Sequence, residues 1–548
     1  MSIIQNPILP GFNPDPSFCR VGDDYYIATS TFEWYPGVQI FHSKDLVNWQ
    51  LVKRPLERES QLDMRGNPDS CGIWAPCLSY ADGLFWLVYT DVKRQDGNFK
   101  DAHNYIVTAP SIEGPWSDPV YANSSGFDPT LFHDDDGRKW FANMKWNHRS
   151  DVPWAHPKNA AFDGIVLQEF DPEKGKLVGE ITNIFRGSDH GLTEAPHLFK
   201  RDGYYYLTTA EGGTGYDHAV TLARSKTITG PYELHPQTHV MTAKDHPESK
   251  IQRVGHGQLV ETPDGELYHT FLMGRPIERH HASNRKNCPM GRETGIVKCE
   301  WRDDGWLYLA NGTQLPDPTI EAPWAERAQD PDAKITYRFD GSLPIDFQWL
   351  RSPKPERLFE VGEGHLRLFG RESVGSWFEQ ALVARRQEHF QFHATTTMRF
   401  DPDDYQQNAG LISYYNRHKF HFLTMSQDPE QGRVLTILSC NGDWPECRLS
   451  FPLDGDLHVD ASEIELGLAT EFEHLQFYWR PAGGQWQKIG PSLDAWVLSD
   501  EGGRGEHASF TGNYVGMAAF DMSGRAKTAD FTEFTYDPGR GSIDMGAA

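Results

Sequence analysis

The chain has 548 residues, a formal net charge of −25 and 13% aromatic residues. This length leaves room for roughly two to four domains, and the 38% hydrophobic content is typical of a globular rather than a disordered protein. The acidic charge argues against a nucleic-acid partner, because proteins that bind nucleic acids carry basic patches. It is compatible with a neutral substrate.

The N-terminal segment, MSIIQNPILPGF, lacks the basic and apolar regions of a secretory signal. No apolar run approaches the roughly 20 residues that a membrane span requires. The seven cysteines include no close CxxC pairs, which favours reduced thiols over a disulfide framework or a zinc site. We therefore predict a cytoplasmic protein without a membrane partner.

One hairpin pattern recurs through residues 1–310. Its first copy, at residues 11–31, places Asp15 before a proline, followed by two apolar runs that a Gly/Asp turn separates. An X-Pro pair disfavours helix, and two such runs around a turn predict a β-hairpin. Further copies begin at Ala75, Asp128, Ala195 and His256, roughly 55 to 65 residues apart, a spacing that suits four strands plus loops. Five copies predict a five-bladed β-propeller.

The propeller geometry predicts a site. The first strand of each blade lines the central channel, so the five strand heads should meet at one end of it. These heads carry three carboxylates, an indole and an imidazole, namely Asp15, Asp128, Glu194, Trp74 and His256. Like charges in one cleft push their pKa values apart, and glycoside hydrolysis requires a proton donor and a proton acceptor on opposite sides of a bond. The alternative for each single Asp-Pro pair is a turn cap.

Four candidate residues also have structural alternatives. Phe32 and Trp74 could form an aromatic wall on which a sugar stacks, and either could instead belong to the core. Arg292 could donate two hydrogen bonds to substrate hydroxyls or hold a carboxylate, and its alternative is a structural salt bridge. His256 could be a satisfied core histidine or could mark a central ion or water site.

The pattern changes in the second half of the chain. Residues 311–334 are rich in proline, aspartate and alanine and predict a linker that lies against the surface. From 335 to 548, long runs alternate with period two between Gly/Asp/Pro turns, which predicts an antiparallel β-sandwich. Because no convincing amphipathic helix is present, we predict an all-β chain, a five-bladed β-propeller followed by an antiparallel β-sandwich.

Five segments carry a specific combination of motifs: FNPDPSFCRVGDDYYIATSTFEWYPGVQIFHSKDLVNW, GIWAPCLSY, DPTLFHDDDGRKW, TEAPHLF and GHGQLV. This combination resembles the family 43 glycoside hydrolases, specifically the β-xylosidases with a C-terminal sandwich, over essentially the whole chain. The resemblance implies a five-bladed propeller and inverting hydrolysis by a single displacement. It places the base at Asp15, the carboxylate that orients the acid and tunes its pKa at Asp128, and the acid at Glu194.

The same resemblance implies how substrate is held. Phe32, Trp74, Thr214 and Arg292 match positions that shape the pocket for the non-reducing sugar. His256 matches a histidine in the channel, near which some relatives bind calcium. No cofactor is required, and a calcium ion in the propeller channel is the one metal to consider.

In relatives a loop of the sandwich closes the pocket with an aromatic residue. The segment FTGNYVG offers Phe510 for this place, with Tyr514 as the alternative. We therefore expect the sandwich domain, residues 335–548, to close the active site.

These expectations predict an exo-acting β-xylosidase that removes single xylose units from short β-1,4-xylo-oligosaccharides. The alternatives are an α-L-arabinofuranosidase or a bifunctional enzyme, because the two pentoses present similar hydroxyl patterns, and a sugar-binding propeller without catalysis. We expect small xylo-oligosaccharides as partners, no nucleic acid, and a homo-oligomeric assembly.

Overall fold

The computed structural model describes residues 2–149, 152, 161–278, 286–325, 330–442, 448–502 and 509–545. These residues form β-strands and two short 3₁₀ helices, Pro355–Arg357 and Ala495–Val497. None of the helices in these ranges is long and apolar enough to cross a bilayer. The cysteines in these ranges are all buried: Cys19, Cys71, Cys77, Cys288, Cys299 and Cys440. The predicted all-β fold class is confirmed.

The N-terminal part forms five antiparallel sheets that follow one another along the chain. Blades 1 and 2 consist of strands Ser17–Val21, Asp24–Thr29, Gln39–Ser43 and Gln50–Lys53, and of strands Gly72–Ala81, Leu84–Arg94, Asp101–Ala109 and Val120–Asn123. Blades 3 and 4 consist of strands Thr130–His133, Lys139–Trp146, Phe162–Asp171 and Lys176–Phe185, and of strands Glu194–Arg201, Tyr204–Glu211, Ala219–Ser225 and Glu233–Thr242. The first strands of blades 1 to 4 contact one another in order. The third and fourth strands of blade 4 contact the first strand of blade 5, and blade 5 contacts blade 1. The predicted five-bladed propeller is confirmed.

The first strand of blade 5 is interrupted at its head. Its two halves are Gln252–Gly255 and Leu259–Glu261, and both pair with the second strand, Leu267–Gly274. The remaining strands of the blade are Glu293–Trp301 and Leu307–Leu309. Strands Ile277–Glu278 and Lys286–Asn287 form a separate two-stranded sheet. The interruption contains Gly257, where a Cβ atom would lie 1.8 Å from the carbonyl oxygen of Thr270. Only glycine therefore allows the strand Leu267–Gly274 to approach residue 257 so closely. Near the chain start, strand Ile3–Gln5 pairs with Thr319–Glu321 and joins the two ends of the propeller.

The blade hairpins form where the sequence places Asp-Gly pairs. In blade 2, Ala81 pairs with Leu84, and the two residues between them, Asp82 and Gly83, have φ values of 55° and 76°. The turn of blade 4 has the same geometry at Asp202 and Gly203. Positive φ at both central residues defines a type I′ turn, whose twist matches that of the two strands it joins.

The C-terminal part contains two eight-stranded antiparallel sheets that pack face to face. The outer sheet consists of Phe359–Gly362, His365–Phe369, Thr528–Pro538, Gln391–Arg399, Glu463–Glu471, His474–Pro481, Gln487–Asp494 and Ile335–Arg338. The inner sheet consists of Leu457–His458, Gly432–Asn441, Lys419–Asp428, Gln407–Asn416, Tyr514–Asp521, Ala381–Arg386, Gln348–Leu350 and Trp34–Tyr35. The predicted sandwich is confirmed.

The inner sheet is buried on both faces. Along strand Gln407–Asn416, Leu411 packs into the core between the two sheets, whereas Ile412 packs toward the propeller. The inner sheet also takes in a propeller segment, because Trp34 and Tyr35 pair with Gln348–Leu350. The two domains are thus joined by backbone hydrogen bonds as well as by side-chain packing.

Candidate active site

A pocket of about 220 Å³ lies at the end of the propeller channel where the strand heads meet. All nine residues that the sequence predicts for the site line it: Asp15, Phe32, Trp74, Asp128, Glu194, Thr214, His256, Arg292 and Phe510. Blades 1 to 5 each contribute to this set, and Phe510 comes from the sandwich. The structure therefore brings together residues that are up to 495 positions apart in the sequence.

Four blades share an unusual backbone conformation at their heads. The φ angles of Asp15, Asp128, Ala195 and His256 are 56°, 54°, 52° and 41°. Residues other than glycine seldom adopt this left-handed conformation, and such strain concentrates at functional sites. Because this conformation recurs at the heads of four blades, the repeat reproduces the local backbone geometry as well as the strand order.

Asp15 is buried and accepts hydrogen bonds from two side chains. Ser30 donates a hydrogen bond from its hydroxyl to Oδ2 over 2.6 Å, and Arg292 donates from Nη1 to Oδ1 over 3.0 Å. His256 lies nearby, with Nδ1 3.7 Å from Oδ1. These two hydrogen bonds fix the orientation of the carboxylate.

Glu194 and Asp128 have raised pKa values. Burial is the main cause for Glu194, and the charge of Asp15 adds to it, raising the pKa to about 8 against the opposing effects of Arg292 and Lys100. Burial also raises the pKa of Asp128 well above its usual range, and repulsion from Glu194 and Asp15 reinforces the shift. Because two close carboxylates titrate as one unit, the pair of Asp128 and Glu194 retains a proton at neutral pH.

Arg292 connects three parts of the pocket. Besides Asp15, its Nη1 donates to the hydroxyl of Thr214 over 3.2 Å, and its Nη2 donates to the carbonyl oxygen of Phe510 over 3.0 Å. Its guanidinium lies 5.1 Å from the ring centre of Phe32. Of the two functions that the sequence allows for Arg292, holding a carboxylate is the one this geometry displays.

Aromatic rings form one wall of the pocket. Trp74 lies 5.9 Å from Phe32 and meets the edges or faces of Phe127 and Phe510 at 5.1 Å and 6.4 Å between ring centres. Its indole nitrogen donates to the backbone oxygen of Ser70 over 2.9 Å, which leaves the apolar faces for contacts with a ligand. Such faces suit the apolar side of a sugar ring.

Tyr514, the alternative to Phe510, does not line the pocket. It is fully buried in the inner sheet and stacks on Trp34 with 3.6 Å between ring centres. The structure therefore places Phe510 at the site and Tyr514 in the interface between the domains.

His256 lies in a histidine-rich part of the channel. Its ring centre is 6.2 Å from that of His197, and burial together with Arg292 and His269 lowers its pKa to about 3, so the imidazole is neutral. Within the described ranges, no three His, Cys, Asp or Glu side chains are grouped so that they could hold a metal. Calcium prefers six to eight oxygen ligands, and imidazole nitrogens do not fit that preference.

Sequence reasoning missed six residues of the pocket lining: Gln95, Lys100, Phe127, Phe162, Gly213 and His218. Lys100 donates to the backbone oxygen of Gln95 over 2.8 Å, and its ammonium group lies 4.4 Å from the ring centre of Trp146. Five of these six residues lie outside the recurring hairpin pattern, so nothing in the sequence marks them. Phe127 is the exception, because it directly precedes the strand head at Asp128.

Residues 4–307 match the family model for glycosyl hydrolases family 43. The chain belongs to this family. Residues 336–537 match the model for the β-xylosidase C-terminal concanavalin A-like domain, so family 43 similarity extends over both parts of the structure. The predicted family and the predicted enzyme class, a glycoside hydrolase, are confirmed.

Known proteins resemble this chain over nearly its whole length. A xylosidase/arabinosidase of Humicola insolens is 56% identical over 541 residues, which cover 98% of each chain. A β-xylosidase of Bacillus subtilis is 46% identical and covers 97% of this chain and 99% of its own length. The crystal structure of a xylan β-1,4-xylosidase from Bacillus halodurans superposes with a TM-score of 0.91 at 47% identity, covering 97% of this chain and all of that one.

Proposed function

We propose that the protein is an exo-acting, inverting β-xylosidase that releases xylose from the non-reducing end of β-1,4-xylo-oligosaccharides. The observation that carries this proposal is the placement of Asp15, Asp128 and Glu194 in one small, aromatic-walled pocket. Full-length similarity to proteins named β-xylosidase supports the choice of sugar. Membership of family 43 supports inversion.

The proposed reaction is one displacement at the anomeric carbon. Asp15 takes a proton from a water molecule as the water oxygen forms its bond to that carbon. Glu194, protonated because its pKa is raised to about 8, gives its proton to the glycosidic oxygen as the carbon–oxygen bond to the leaving sugar breaks. Inversion requires room for the water between the two carboxyl groups, which corresponds to about 6.5–9.5 Å.

Asp128 has an electrostatic task in this proposal. It is buried beside Glu194, and their mutual repulsion keeps a proton on the pair. This arrangement maintains a carboxylic acid that can donate at neutral pH.

Exo action follows from the shape of the pocket. The aromatic wall and Phe510 restrict it to a volume of about 220 Å³, which suits one terminal sugar better than the middle of a chain. In this proposal residues 1–310 are the catalytic propeller, 311–334 the linker, and 335–548 the domain that closes the site.

A second activity, on α-L-arabinofuranosides, is favoured by the similarity to a protein named xylosidase/arabinosidase. Turnover of the nitrophenyl β-xyloside and of the nitrophenyl α-arabinofuranoside by the same preparation separates a xylosidase from a bifunctional enzyme. An enzyme that cleaves only the arabinoside would contradict the principal assignment.

The decisive test of the function is incubation of the purified protein with xylobiose. We expect two xylose molecules per xylobiose and no turnover by Asp15→Asn. A protein that binds xylobiose and leaves it intact, with the same affinity after Glu194→Gln, would be the sugar-binding propeller and would refute the proposal.

Three predictions from the sequence stay predictions. They are a cytoplasmic location, a homo-oligomeric assembly, and a calcium ion or water molecule near His256 in the channel. Light scattering after size-exclusion chromatography reports the oligomeric state. Metal analysis of the purified protein, together with thermal unfolding before and after chelation, reports a bound calcium without reference to activity.

A further inference from the structure

A buried ion pair connects the sandwich to blade 5 close to the pocket. Arg253, in the first strand of blade 5, donates from Nη1 to Oδ2 of Asp500 over 2.8 Å. The two side chains are only 8% and 3% exposed. Asp500 lies just beyond the 3₁₀ helix Ala495–Val497, in the part of the sandwich that precedes Phe510 along the chain.

The other oxygen of Asp500 continues the connection. The hydroxyl of Tyr415 donates to Oδ1 of Asp500 over 2.5 Å, and the same hydroxyl oxygen accepts a hydrogen bond from the backbone N–H of Thr511 over 3.0 Å. Tyr415 is fully buried. Arg253 is therefore linked through Asp500 and Tyr415 to the peptide group that directly follows Phe510.

The backbone of Phe510 is held at both of its own polar groups. Its N–H donates to the hydroxyl of Ser70 over 3.1 Å, and its carbonyl oxygen accepts from Nη2 of Arg292 over 3.0 Å. With the bond from Thr511 to Tyr415, three consecutive backbone groups are fixed. The ring of Phe510 is thus positioned by its backbone.

A second cation stabilises the same region. The ammonium group of Lys419 donates to the backbone oxygens of Ser499 and Gly502 over 2.7 Å and 2.9 Å, and to the hydroxyl of Ser509 over 2.7 Å. Ser499 and Ser509 are therefore both hydrogen-bonded to the buried side chain of Lys419. Lys419 therefore connects residues 499, 502 and 509 through hydrogen bonds that do not include Asp500.

We propose that Asp500 and Tyr415 are positioning residues for Phe510: they tie the ring that closes the pocket to Arg253 of the propeller. Neither residue lines the pocket. The affinity for the terminal sugar then depends on hydrogen bonds that the sugar does not touch. This inference rests on the proposed β-xylosidase activity.

Tyr415→Phe removes one hydroxyl and keeps the packed ring. Since a buried hydrogen bond to a charged group is lost, we expect KM for the nitrophenyl β-xyloside to rise roughly three- to tenfold, with kcat changed less than about twofold. Tyr337→Phe is the matched control. The hydroxyl of Tyr337 is also bonded to a carboxylate and an arginine within the sandwich, over 2.7 Å to Asp346 and 2.7 Å from Arg385, but Tyr337 does not contact Phe510.

A double-mutant cycle distinguishes positioning from general destabilisation. If Tyr415 acts through Phe510, Tyr415→Phe should raise KM in the wild-type enzyme and leave it unchanged in the Phe510→Ala background. Asp500→Asn should reproduce the rise in KM, so the test survives if Tyr415→Phe folds poorly.

Two outcomes would separate the inference from the function on which it rests. A wild-type protein that does not cleave the xyloside overturns the proposed function. If the enzyme is active but Tyr415→Phe and Asp500→Asn keep the wild-type KM, the positioning role alone is overturned. The same holds if these substitutions raise KM equally in the wild-type and Phe510→Ala backgrounds.

Discussion

Arg292 and Asp15 are joined by a buried hydrogen bond of 3.0 Å between Nη1 and Oδ1. The other terminal nitrogen of the same guanidinium binds the backbone of Phe510, which belongs to the sandwich. One cation thus contacts the proposed catalytic base and the segment that closes the pocket. Both domains therefore contribute to the pocket.

Arg292→Lys tests whether the forked shape matters as well as the charge. Lysine keeps the positive charge and cannot donate to Asp15 and Phe510 from two fixed directions. We expect kcat/KM for the xyloside to fall by roughly 10- to 100-fold, as for loss of a charge-assisted hydrogen bond. Arg302→Lys, an exposed arginine paired with Glu300 at the surface, is the control. Wild-type kcat/KM in Arg292→Lys would show that charge alone suffices.

Asp128→Asn removes a buried negative charge beside Glu194. Because the interaction of the pair is mutual, the pKa of Glu194 should fall, and with it the pH above which the acid has lost its proton. We expect a large loss of kcat and a basic limb of the kcat/KM profile displaced to lower pH. A full pH profile of both enzymes measures this, and an unchanged basic limb with normal turnover would leave Asp128 as a turn cap.

The raised pKa of Glu194 also has a consequence for stability. The folded protein holds this proton up to about pH 8, whereas an unfolded chain releases it near pH 4.5, so the contribution is fully present below pH 4.5 and is lost as pH rises toward 8. Glu194→Gln cannot lose a proton. We therefore expect its Tm to exceed that of the wild type increasingly across this range. A Tm difference independent of pH would contradict the raised pKa.

The leaving group distinguishes acid from base. Glu194→Gln cannot protonate the departing oxygen, so hydrolysis of xylobiose should fall by roughly 10² to 10⁴-fold, and an activated aryl xyloside should lose much less. Asp15→Asn should reduce both reactions alike, because water needs activation whichever group leaves. Equal losses by the two variants across a series of leaving groups would exclude these two assignments.

The local parts of this structure could be predicted because local chemistry determines them. The Asp-Gly pair at residues 82 and 83 defines a type I′ turn, and the period of the hairpins determines the number of blades. Once the blades are counted, Asp15, Asp128 and Glu194 must converge. Their convergence therefore needed only the repeat and the geometry of a propeller.

Other features depend on contacts that no local pattern records. Trp34 and Tyr35 belong to the first blade in sequence, yet they pair with a strand more than 300 residues away. Lys100 enters the pocket from a loop between blade strands and carries no repeat signal. The choice of Phe510 over Tyr514 came from the family resemblance, and the structure explains it, because Tyr514 is occupied by stacking on Trp34.

The configuration of the first product tests the central claim most directly. Proton NMR of xylobiose hydrolysis, recorded before the released sugar mutarotates, shows which anomer the enzyme forms. Single displacement by Asp15 and Glu194 predicts α-xylose as the first product, with the β-anomer appearing only later. Initial formation of β-xylose would contradict the account, since it would require a covalent intermediate and carboxyl groups only about 5–5.5 Å apart.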